Sequence, residues 1–249
     1  MQKMLSHLRR CIDEYKMIDE GDKIAIGVSG GKDSLVLLRT MAELRRFYPK
    51  KFELIAITLD MGYEAADFST IAQLCRDINV EYIIKPTNIR EVVFDIRKEE
   101  NPCALCAKLR RGSLNDAAKE YGCNKVALGH HFDDAVETFM LSLFYEGRIS
   151  CFLPVTYLDR SELHVIRPML YMTEREVINF ARDMELPICK SGCPVDKETK
   201  REDIKQLLRT LETDYHDLRQ HIFGAMQRLP LDGWKPEDPR KRKKRQRRE

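Results

Sequence analysis

Short apolar runs alternate with segments of helical periodicity through the first two thirds of the chain. The runs are rich in β-branched residues and bounded by turn residues, which is typical of buried strands. They lie at residues 23–28, 53–60, 80–85, 125–128 and 163–166. Helical spacing of apolar residues follows at 34–44, 65–78, 104–121 and 133–145, and again after Thr173, which has capping-box spacing to Glu176. This alternation predicts an α/β fold, a doubly wound parallel sheet with helices on both faces.

The pattern differs at the two ends of the chain, and it predicts four regions. Residues 1–22 form an N-terminal helical segment, and residues 23–186 form the α/β domain with an inserted helix that carries a C-x-x-C motif. Residues 187–229 hold a cysteine-bearing loop and two C-terminal helices, at 199–211 and 214–228. Residues 230–249 are rich in proline and charge, and we expect them to form a basic, disordered tail.

The stretch Ser29-Gly30-Gly31-Lys32-Asp33-Ser34 joins the first predicted strand to the first predicted helix. Two adjacent glycines let the backbone take left-handed angles and approach a ligand closely. Free amides at a helix start, together with the helix dipole, favour an anion, and Lys32 adds a positive charge. The sequence therefore predicts a phosphate cradle; the alternative is a glycine turn that opens a helix without a ligand.

This loop differs from the common P-loop, which needs glycine, four residues and then Gly-Lys-Ser/Thr. Ile26 stands five residues before Gly31, and Asp33 follows the lysine where that motif has a hydroxyl. The stretch instead resembles the SGGxDS loop of the ATP pyrophosphatase (PP-loop) superfamily. That resemblance implies cleavage of ATP between the α- and β-phosphates, with the loop holding the departing pyrophosphate.

Three polar clusters follow predicted strands and are therefore expected at one edge of the sheet, where ligands bind in open α/β folds. They are residues 29–34, 60–62 and 129–134. The predicted ATP-binding residues are Ser29, Gly30, Gly31, Lys32, Asp33, Ser34, Asp60 and Gly129. Asp33 and Asp133 are candidates for holding magnesium or positioning a base, and Lys32 for the chemical step; first-turn helix carboxylates are the alternative for the two aspartates. His130 and His131 line the same edge, where packing or capping is the more common role of a histidine.

Clustered cysteines form the second chemical signal. Cys103 and Cys106 make a C-x-x-C at a predicted helix start, and Cys189 and Cys193 follow later. A redox pair fits poorly at this position, because the thioredoxin-like motif belongs in the first βα unit. Structural zinc on all four cysteines and an iron–sulfur cluster on three both remain open, and spacing alone slightly favours zinc. We expect the isolated cysteines to be small buried residues: Cys11, Cys75, Cys123 and Cys151.

Composition narrows the class of protein. The chain has 249 residues, of which 43% are hydrophobic and 33% charged, as in a soluble globular domain. No apolar run is long enough to cross a membrane, and the N-terminus lacks a secretory signal, so we expect a cytoplasmic protein with reduced or metal-bound cysteines. Eight of the 43 Lys and Arg residues lie in residues 240–249. Such a run is compatible with RNA and equally with a solvated tail.

Several segments together resemble the tRNA 2-thiocytidine synthetases. They are Ser29–Ser34, Cys103-x-x-Cys106 with Arg110-Arg111-Gly112, Gly129-His-His-x-Asp-Asp-x-x-Glu-Thr138, Ile166-Arg-Pro168 and the Cys193-Pro loop. The resemblance implies an adenine nucleotide α-hydrolase-like fold and ATP-dependent exchange of the C2 oxygen of cytidine 32 in the tRNA anticodon loop for sulfur. It also implies a [4Fe–4S] cluster on Cys103, Cys106 and Cys193, with one iron free to hold the transferred sulfur.

The resemblance further implies ATP, Mg²⁺ and the cluster as cofactors, and tRNA as substrate. Arg110 and Arg111 follow the cysteines by about one turn and are candidates for RNA phosphate or ATP; an exposed helix surface is the alternative. A sulfur donor such as a cysteine desulfurase is expected, no membrane partner is, and a homodimer is compatible with the pattern. Related enzymes that thiolate a uridine carry paired zinc fingers, which the single Cys11 of this N-terminus does not match.

Two other functions stay open at this point. One is a different PP-loop tRNA-modifying or amidation synthetase, such as a lysidine synthetase, with zinc on Cys103, Cys106, Cys189 and Cys193. The other is a non-catalytic nucleotide- or RNA-binding module. An active enzyme without Cys103 would favour the first, and a colourless zinc protein would exclude the sulfur chemistry.

Overall fold

A six-stranded sheet with helices on both faces forms the centre of the computed structural model, which describes residues 1–63, 67–97, 102–189, 200–228 and 234. The strands are β1 (Asp22–Gly27), β2 (Phe52–Asp60), β3 (Glu81–Pro86), β4 (Lys125–Ala127), β5 (Val155–Leu158) and β6 (Leu163–Ile166). Their order across the sheet is β3-β2-β1-β4-β6-β5, and every neighbouring pair except β5–β6 is parallel. The predicted doubly wound α/β fold is confirmed.

Eight α-helices and one π-helix surround the sheet in the described part of the chain. They are α1 (Gln2–Glu14), α2 (Lys32–Arg45), α3 (Ser69–Asp77), the π-helix (Glu91–Arg97), α4 (Pro102–Glu120), α5 (Phe132–Glu146), α6 (Glu174–Asp183), α7 (Lys200–Leu211) and α8 (Leu218–Arg228). None of the helices in these described ranges combines the length and apolarity that a membrane crossing requires.

Two elements were absent from the sequence prediction. The strand β5 pairs antiparallel with β6, so the sheet is mostly rather than wholly parallel. Its residues are only partly buried at the edge of the sheet, and the run therefore lacks the continuous apolar pattern of a central strand. The π-helix was also missed, because its side chains outside Val93 are largely solvent-accessible and give no apolar stripe.

The apolar core is divided by the sheet into two clusters. Alternate residues of β1 point to opposite faces, so Ile24 and Ile26 enter one cluster and Ala25 the other. The larger cluster also takes in α1 and the buried Trp234, and the smaller one packs α4 against the sheet. The predicted boundaries at 22/23 and 229/230 remain predictions, although α1 and Trp234 share the core of the main domain. The remainder of the predicted tail lies outside the described residues.

The isolated cysteines follow the prediction for small core residues in three of four cases. Cys11, Cys75 and Cys123 are buried, and Cys151 is half-buried. Burial raises the pKa of each thiol, to about 11 for Cys75 and Cys123 and to about 12 for Cys151. These thiols are therefore protonated near neutral pH, which suits packing rather than nucleophilic chemistry.

The predicted capping box at the start of α6 is present and extends to α1. Thr173 N–H donates to Glu176 Oε2 at 2.9 Å, and Glu176 N–H donates to Thr173 Oγ1 at 3.3 Å. Lys3 Nζ lies 2.8 Å from the other oxygen of Glu176. Burial opposes ionisation of Glu176, but Lys3 and Thr173 outweigh it and lower its pKa to about 2. The carboxylate thus fixes both the helix start and the position of α1.

We expect Glu176→Ala to destabilise the fold by about 1 kcal/mol at pH 7, the usual cost of losing a helix cap. Because the folded-state pKa is depressed from its ordinary value of 4.5 to about 2, this stabilisation is present above pH 4.5 and is lost as the pH falls towards 2. Urea unfolding of wild type and variant at pH 7 and pH 3 measures the stabilisation that Glu176 contributes. Asp183→Ala, at an exposed carboxylate on the same helix, is the control and should change stability by less than ~0.5 kcal/mol. If the free energies of unfolding of wild type and variant differed as much at pH 3 as at pH 7, this account would be contradicted.

Candidate nucleotide-binding site and cysteine helix

The loop at residues 29–34 leaves β1 and opens α2 with free backbone amides. Gly30 has a φ of +81°, a left-handed conformation that favours glycine. The Ser34 hydroxyl accepts a hydrogen bond from Ser29 N–H at 3.1 Å and donates one to Gly31 C=O at 2.9 Å, which fixes the loop on itself. Gly31 is the N-cap, and no side chain caps the first turn of α2. The amides of that turn therefore remain available to an anion.

Two other helices that begin at this edge of the sheet are capped by their own side chains. His131 caps α5 in a capping box with Asp134, and Thr173 caps α6 with Glu176. Of these three helix starts, only that of α2 lacks a side-chain cap. This difference identifies α2 as the helix whose N-terminus is arranged for an external anion.

Gly129, at the end of β4, lies directly against the first turn of α2. A Cβ built on Gly129 would lie 2.9 Å from the backbone C and O of Asp33 and 3.2 Å from Ser34 N. Backbone atoms cannot give way as the end of a side chain can, so any larger residue would displace the loop. The structure thus brings Gly129 together with the loop, as the sequence predicted.

Lys32 is held among carboxylates at the entrance of this cradle. Its Nζ lies 3.1 Å from Asp33 Oδ1 and 3.6 Å from Glu174 Oε1. Burial alone would lower the pKa of Lys32, but Asp33 and Glu174 more than offset it and the pKa is raised. Lys32 is therefore a firmly charged ammonium group beside the uncapped helix start.

Asp33 and Asp133, the two predicted magnesium or base-positioning residues, have different surroundings. Asp33 Oδ1 is buried and accepts no hydrogen bond from the described residues, although it lies within ion-pair distance of Lys32. Asp133 Oδ2 accepts the N–H of Glu174 at 2.6 Å, and Oδ1 lies 3.2 Å from Arg219 Nη1. Both oxygens of Asp33 thus lie 3.1 Å from Lys32 Nζ, whereas Asp133 is held by a backbone amide as well as by Arg219.

The C-terminal helices supply the cations that balance this edge. Arg201 and Lys205 on α7 lie 3.3 Å from Asp134 Oδ1 and 2.7 Å from Glu174 Oε2, respectively. Arg219 on α8 is the third of these cations, and its Nη1 lies 3.2 Å from Asp133 Oδ1. The helices α7 and α8 therefore hold the starts of α5 and α6 in place and, through Glu174, reach Lys32.

The two histidines at this edge differ in role. His131 is buried. Its backbone N–H donates to Asp134 Oδ2 at 2.9 Å, and its ring Nδ1 accepts from the backbone N–H of Asp134 at 3.4 Å. The capping role considered for it is confirmed. The ring of His130 packs 4.8 Å from that of Phe152, and its Nδ1 is buried without a hydrogen-bond partner in the described structure. Burial, with Arg167 adding to it, lowers the pKa of His130 to about 4, so its imidazole is neutral at pH 7.

Asp60 lies at the carboxyl end of β2, on the other side of β1 from Gly129. Its carboxylate accepts the N–H of Gly62 at 2.9 Å, and Gly62 has a φ of +80°. The Asp60 backbone C=O accepts both the N–H and the hydroxyl of Thr87. Its carboxylate therefore shapes the turn that follows β2 at this edge of the sheet.

The cysteines divide between two locations. Cys103 and Cys106 lie one turn apart at the start of α4, the first exposed and the second half-buried, and neither forms a disulfide. Cys189 lies against the phosphate loop, where its N–H donates to Gly30 C=O at 3.0 Å. The described residues contain no group of three His, Cys, Asp or Glu side chains that could hold a metal ion. Cys189 therefore does not join Cys103 and Cys106 in such a group; Cys193 lies outside the described residues.

Sequence reasoning missed several residues of this site. Glu174, Lys205 and Arg219 reach it from helices whose motifs indicated no ligand, and their charge pattern alone could not have shown the pairing. Cys189 was noticed only as a metal candidate, although its backbone supports Gly30. Arg110 and Arg111, the predicted RNA-binding pair, lie exposed on α4.

Comparison with known proteins shows which family the chain belongs to. The family model described as a PP-loop domain matches residues 3–211. A protein of Citrifermentans bemidjiense named tRNA-cytidine(32) 2-sulfurtransferase is 36% identical over 227 residues, 90% of this chain and 89% of that protein. A Geobacter sulfurreducens protein of the same name is 37% identical over 228 residues, with the same coverage of 90% and 89%.

A solved structure supports the same placement. The U34-tRNA thiolase NcsA from Methanococcus maripaludis with its [4Fe–4S] cluster matches with a TM-score of 0.76 and 26% sequence identity. The match covers 93% of this chain and 80% of that one. Together with the uncapped phosphate loop and the two cysteines of α4, these matches show that the chain belongs to the tRNA-cytidine(32) 2-sulfurtransferase family of PP-loop proteins.

Proposed function

We propose that this protein is an ATP-dependent tRNA sulfurtransferase that converts cytidine 32 of the anticodon loop to 2-thiocytidine. The observation that carries the proposal is the pairing of an uncapped phosphate loop with Cys103 and Cys106, which form no disulfide, in a chain 36% identical to proteins named for that activity. Neither a lysidine-type synthetase nor a nucleotide-binding module needs both features.

In this proposal the phosphate loop binds ATP and stabilises the leaving pyrophosphate. The free amides of α2 and the ammonium group of Lys32 hold the β- and γ-phosphates. The C2 carbonyl oxygen of cytosine attacks the α-phosphorus, the bond to pyrophosphate breaks, and the base becomes adenylated. A sulfide-level sulfur then attacks C2, the bond between C2 and the adenylated oxygen breaks, and AMP leaves with that oxygen. Asp60 and Gly129 follow the strands on either side of β1 at the same edge of the sheet and complete the proposed nucleotide site.

Magnesium fits the surroundings of Asp33. Its carboxylate is bound by the side chain of Lys32, which we propose to turn to the phosphates, and carboxylate oxygens beside phosphates are the ligands that Mg²⁺ favours. Asp133 has both oxygens committed to Glu174 and Arg219, so its proposed role is to position the helix starts. Asp33 is therefore the residue that we propose to hold the ion.

The chemistry of the thiols fits an iron–sulfur cluster at the start of α4. Cys103 and Cys106 lie one helical turn apart at the start of α4, the first exposed and the second half-buried, and neither forms a disulfide. Cys193 is the proposed third ligand, because Cys189 lies apart from the pair. When bound by three cysteines, a [4Fe–4S] cluster supplies one iron without a protein ligand for the sulfur to be transferred.

The remaining components of the proposal follow from the chemistry. The sulfur has to be provided by a donor such as a cysteine desulfurase, together with a two-electron reductant that brings persulfide sulfur to the sulfide level. The proposed location is the cytoplasm. Arg110 and Arg111, exposed beside the cysteine helix, are the proposed RNA contacts, and a homodimer is the proposed assembly.

The first test of the proposal is the nucleoside content of tRNA. We expect tRNA from a strain lacking this gene to contain no 2-thiocytidine, and a plasmid-borne wild-type gene to restore it. Cys103→Ala should fail to restore it, because one cluster ligand is lost, whereas Cys123→Ala, at a cysteine packed in the core, should restore it. Digestion of the tRNA and mass spectrometry give the result. Unchanged 2-thiocytidine in the deletion strain would overturn the substrate assignment.

Anaerobic purification provides a second readout on the same proteins. The wild type should be brown, with broad absorbance near ~400 nm and bound iron, and Cys103→Ala should be colourless. A colourless wild type with one zinc ion would instead support the structural-zinc alternative and contradict the sulfur chemistry.

We expect Gly129→Ala to weaken ATP binding and slow turnover by about 10²-fold, because its Cβ would push the first turn of α2 out of place. Gly112→Ala is the matched control, since a Cβ there meets nothing within 4 Å and the residue lies within a helix. Titration with ATP and the release of pyrophosphate measure the two effects, and circular dichroism checks the fold. Equal ATP affinities of the two variants would show that the close approach does not shape the site.

A further inference from the structure

Ile166-Arg167-Pro168 is a motif to which the proposed mechanism assigns no role. Arg167 follows β6, and its guanidinium is held from one side by the segment that precedes and enters β5. Nη1 donates to Leu153 C=O at 2.5 Å and lies 3.4 Å from Thr156 Oγ1. The ring of Phe152 lies under the guanidinium, 4.8 Å from Cζ. Arg167 thus has a fixed orientation at the carboxyl edge of the sheet.

Within the described structure, Arg167 has no carboxylate within ion-pair distance, and its Nε is buried without a hydrogen-bond partner. The neighbouring cations of α7 and α8 differ in this respect, because Arg201, Lys205 and Arg219 each contact at least one carboxylate. A half-buried guanidinium without a counter-charge is unfavourable, since it loses hydration without gaining an ion pair. The edge therefore contains one positive charge that the described residues leave unbalanced.

A second cation reinforces this imbalance. Arg111 lies one turn before Leu114 on α4, and Leu114 is close to Leu128, since a Cβ built on Gly27 would lie 2.8 Å from the first and 3.5 Å from the second. Leu128 N–H donates to the C=O of Ile166, the residue before Arg167, so this part of α4 lies near the end of β6.

Burial is the main cause that lowers the pKa of Arg167 to about 10; Cys151 opposes this shift, and repulsion from Arg111 adds a smaller contribution to it. Arg111 itself is exposed. Two guanidinium groups in this region, neither with a carboxylate within ion-pair distance among the described side chains, form a place where an anion is favourable.

The other groups around Arg167 add no compensating charge. His130 packs against the same Phe152 ring at 4.8 Å, and its depressed pKa keeps it neutral at pH 7. The Cys151 thiol is protonated, because burial raises its pKa to about 12. The neutral imidazole leaves its buried Nδ1 available for a hydrogen bond beside the cation.

The position of this cluster separates it from the phosphate loop. In the sheet, β4 lies between β1, which leads into the loop, and β6, which leads into Arg167. Neighbouring strands lie about 4.8 Å apart, so Arg167 begins about 10 Å to the side of the loop. Arg111 lies on the helix that begins with Cys103 and Cys106, about one and a half turns beyond the second cysteine.

We propose that Arg111 and Arg167 form a second anion site, which binds a backbone phosphate of the RNA next to the nucleotide being modified. The inference rests on the proposed function, because the base must lie between the phosphate loop and the cysteines. The pair extends from the half-buried Arg167 to the exposed Arg111, as suits a chain that enters from solvent rather than an enclosed nucleotide. The ATP phosphates already have their own cation and free amides at α2.

The test compares RNA and ATP binding by Arg111→Ala and Arg167→Gln, with Arg182→Ala as control. Arg182 is an exposed arginine at the far end of α6, so its loss removes the same charge away from the cleft. The probes are an anticodon stem-loop RNA that contains the target cytidine and, separately, ATP. We expect each of the two cleft variants to bind the RNA about tenfold more weakly and to lower the slope of log affinity against log salt by about 0.7. ATP affinity should stay within about twofold of wild type.

Two results would overturn the inference. One is RNA affinity and a salt slope equal to those of Arg182→Ala; the other is weaker ATP binding with unchanged RNA binding, which would assign the anion to the nucleotide. Should Arg167→Gln fail to fold, Arg111→Ala and the charge-keeping Arg111→Lys carry the test at an exposed position. Arg111→Lys should then recover part of the lost RNA affinity, and equal affinity of the two Arg111 variants would count against a phosphate contact.

Failure of this inference is distinguishable from failure of the proposed function. If the wild type makes no 2-thiocytidine but the cleft variants still lose RNA affinity, only the proposed function is wrong. If 2-thiocytidine is made and the variants bind RNA normally, only the anion site is wrong.

Discussion

The close approach of Gly129 to the first turn of α2 is the constraint on which the site depends. Parallel pairing of β1 with β4, with Ile26 opposite Ala127, brings the end of β4 against the loop that leaves β1. The contact leaves no room for a Cβ, so the loop has one position and its free amides point in one direction. Cys189 then rests on that loop through Gly30, and the charged side chains of α5 and α6 are arranged around it.

The charged side chains at this edge of the sheet form two groups, one paired with opposite charges and one without such pairs in the described structure. Around the phosphate loop, Glu174 and Asp133 are paired with Lys205 and Arg219 from the C-terminal helices. On the β6 side, Arg167 has no such partner in the described structure. The first arrangement stabilises the fold and keeps Lys32 charged, whereas the second is the region that we propose to bind an RNA phosphate. A cleft of this kind suits two phosphate-bearing substrates that enter from different sides.

Local sequence pattern predicted those parts of the protein that local chemistry determines. The strands at the centre of the sheet, the glycine loop and the Thr173 capping box all follow from short-range periodicity or spacing. The strand β5 did not, because an edge strand of four partly buried residues has no distinctive pattern. The pairing of Asp133 with Arg219 joins residues far apart in the chain, and a tertiary contact of this kind leaves no periodic signal. The same reasoning explains why Asp33 and Asp133, equivalent in sequence terms, prove to have different partners, Lys32 in one case and Arg219 with a backbone amide in the other.

The hydrogen bond between Cys189 and Gly30 connects one of the later cysteines with the phosphate loop. The N–H of Cys189 donates to the carbonyl of the glycine with positive φ, and a Cβ on that glycine would lie 3.0 Å from the Cβ of Cys189. Cys189 therefore lies directly beside the phosphate loop. A change in the loop on binding phosphate would alter this hydrogen bond, and the reverse also holds, because energetic coupling between two sites is reciprocal. The position of Cys189 thus gives a structural reason for nucleotide binding and the cysteine segment to respond to each other.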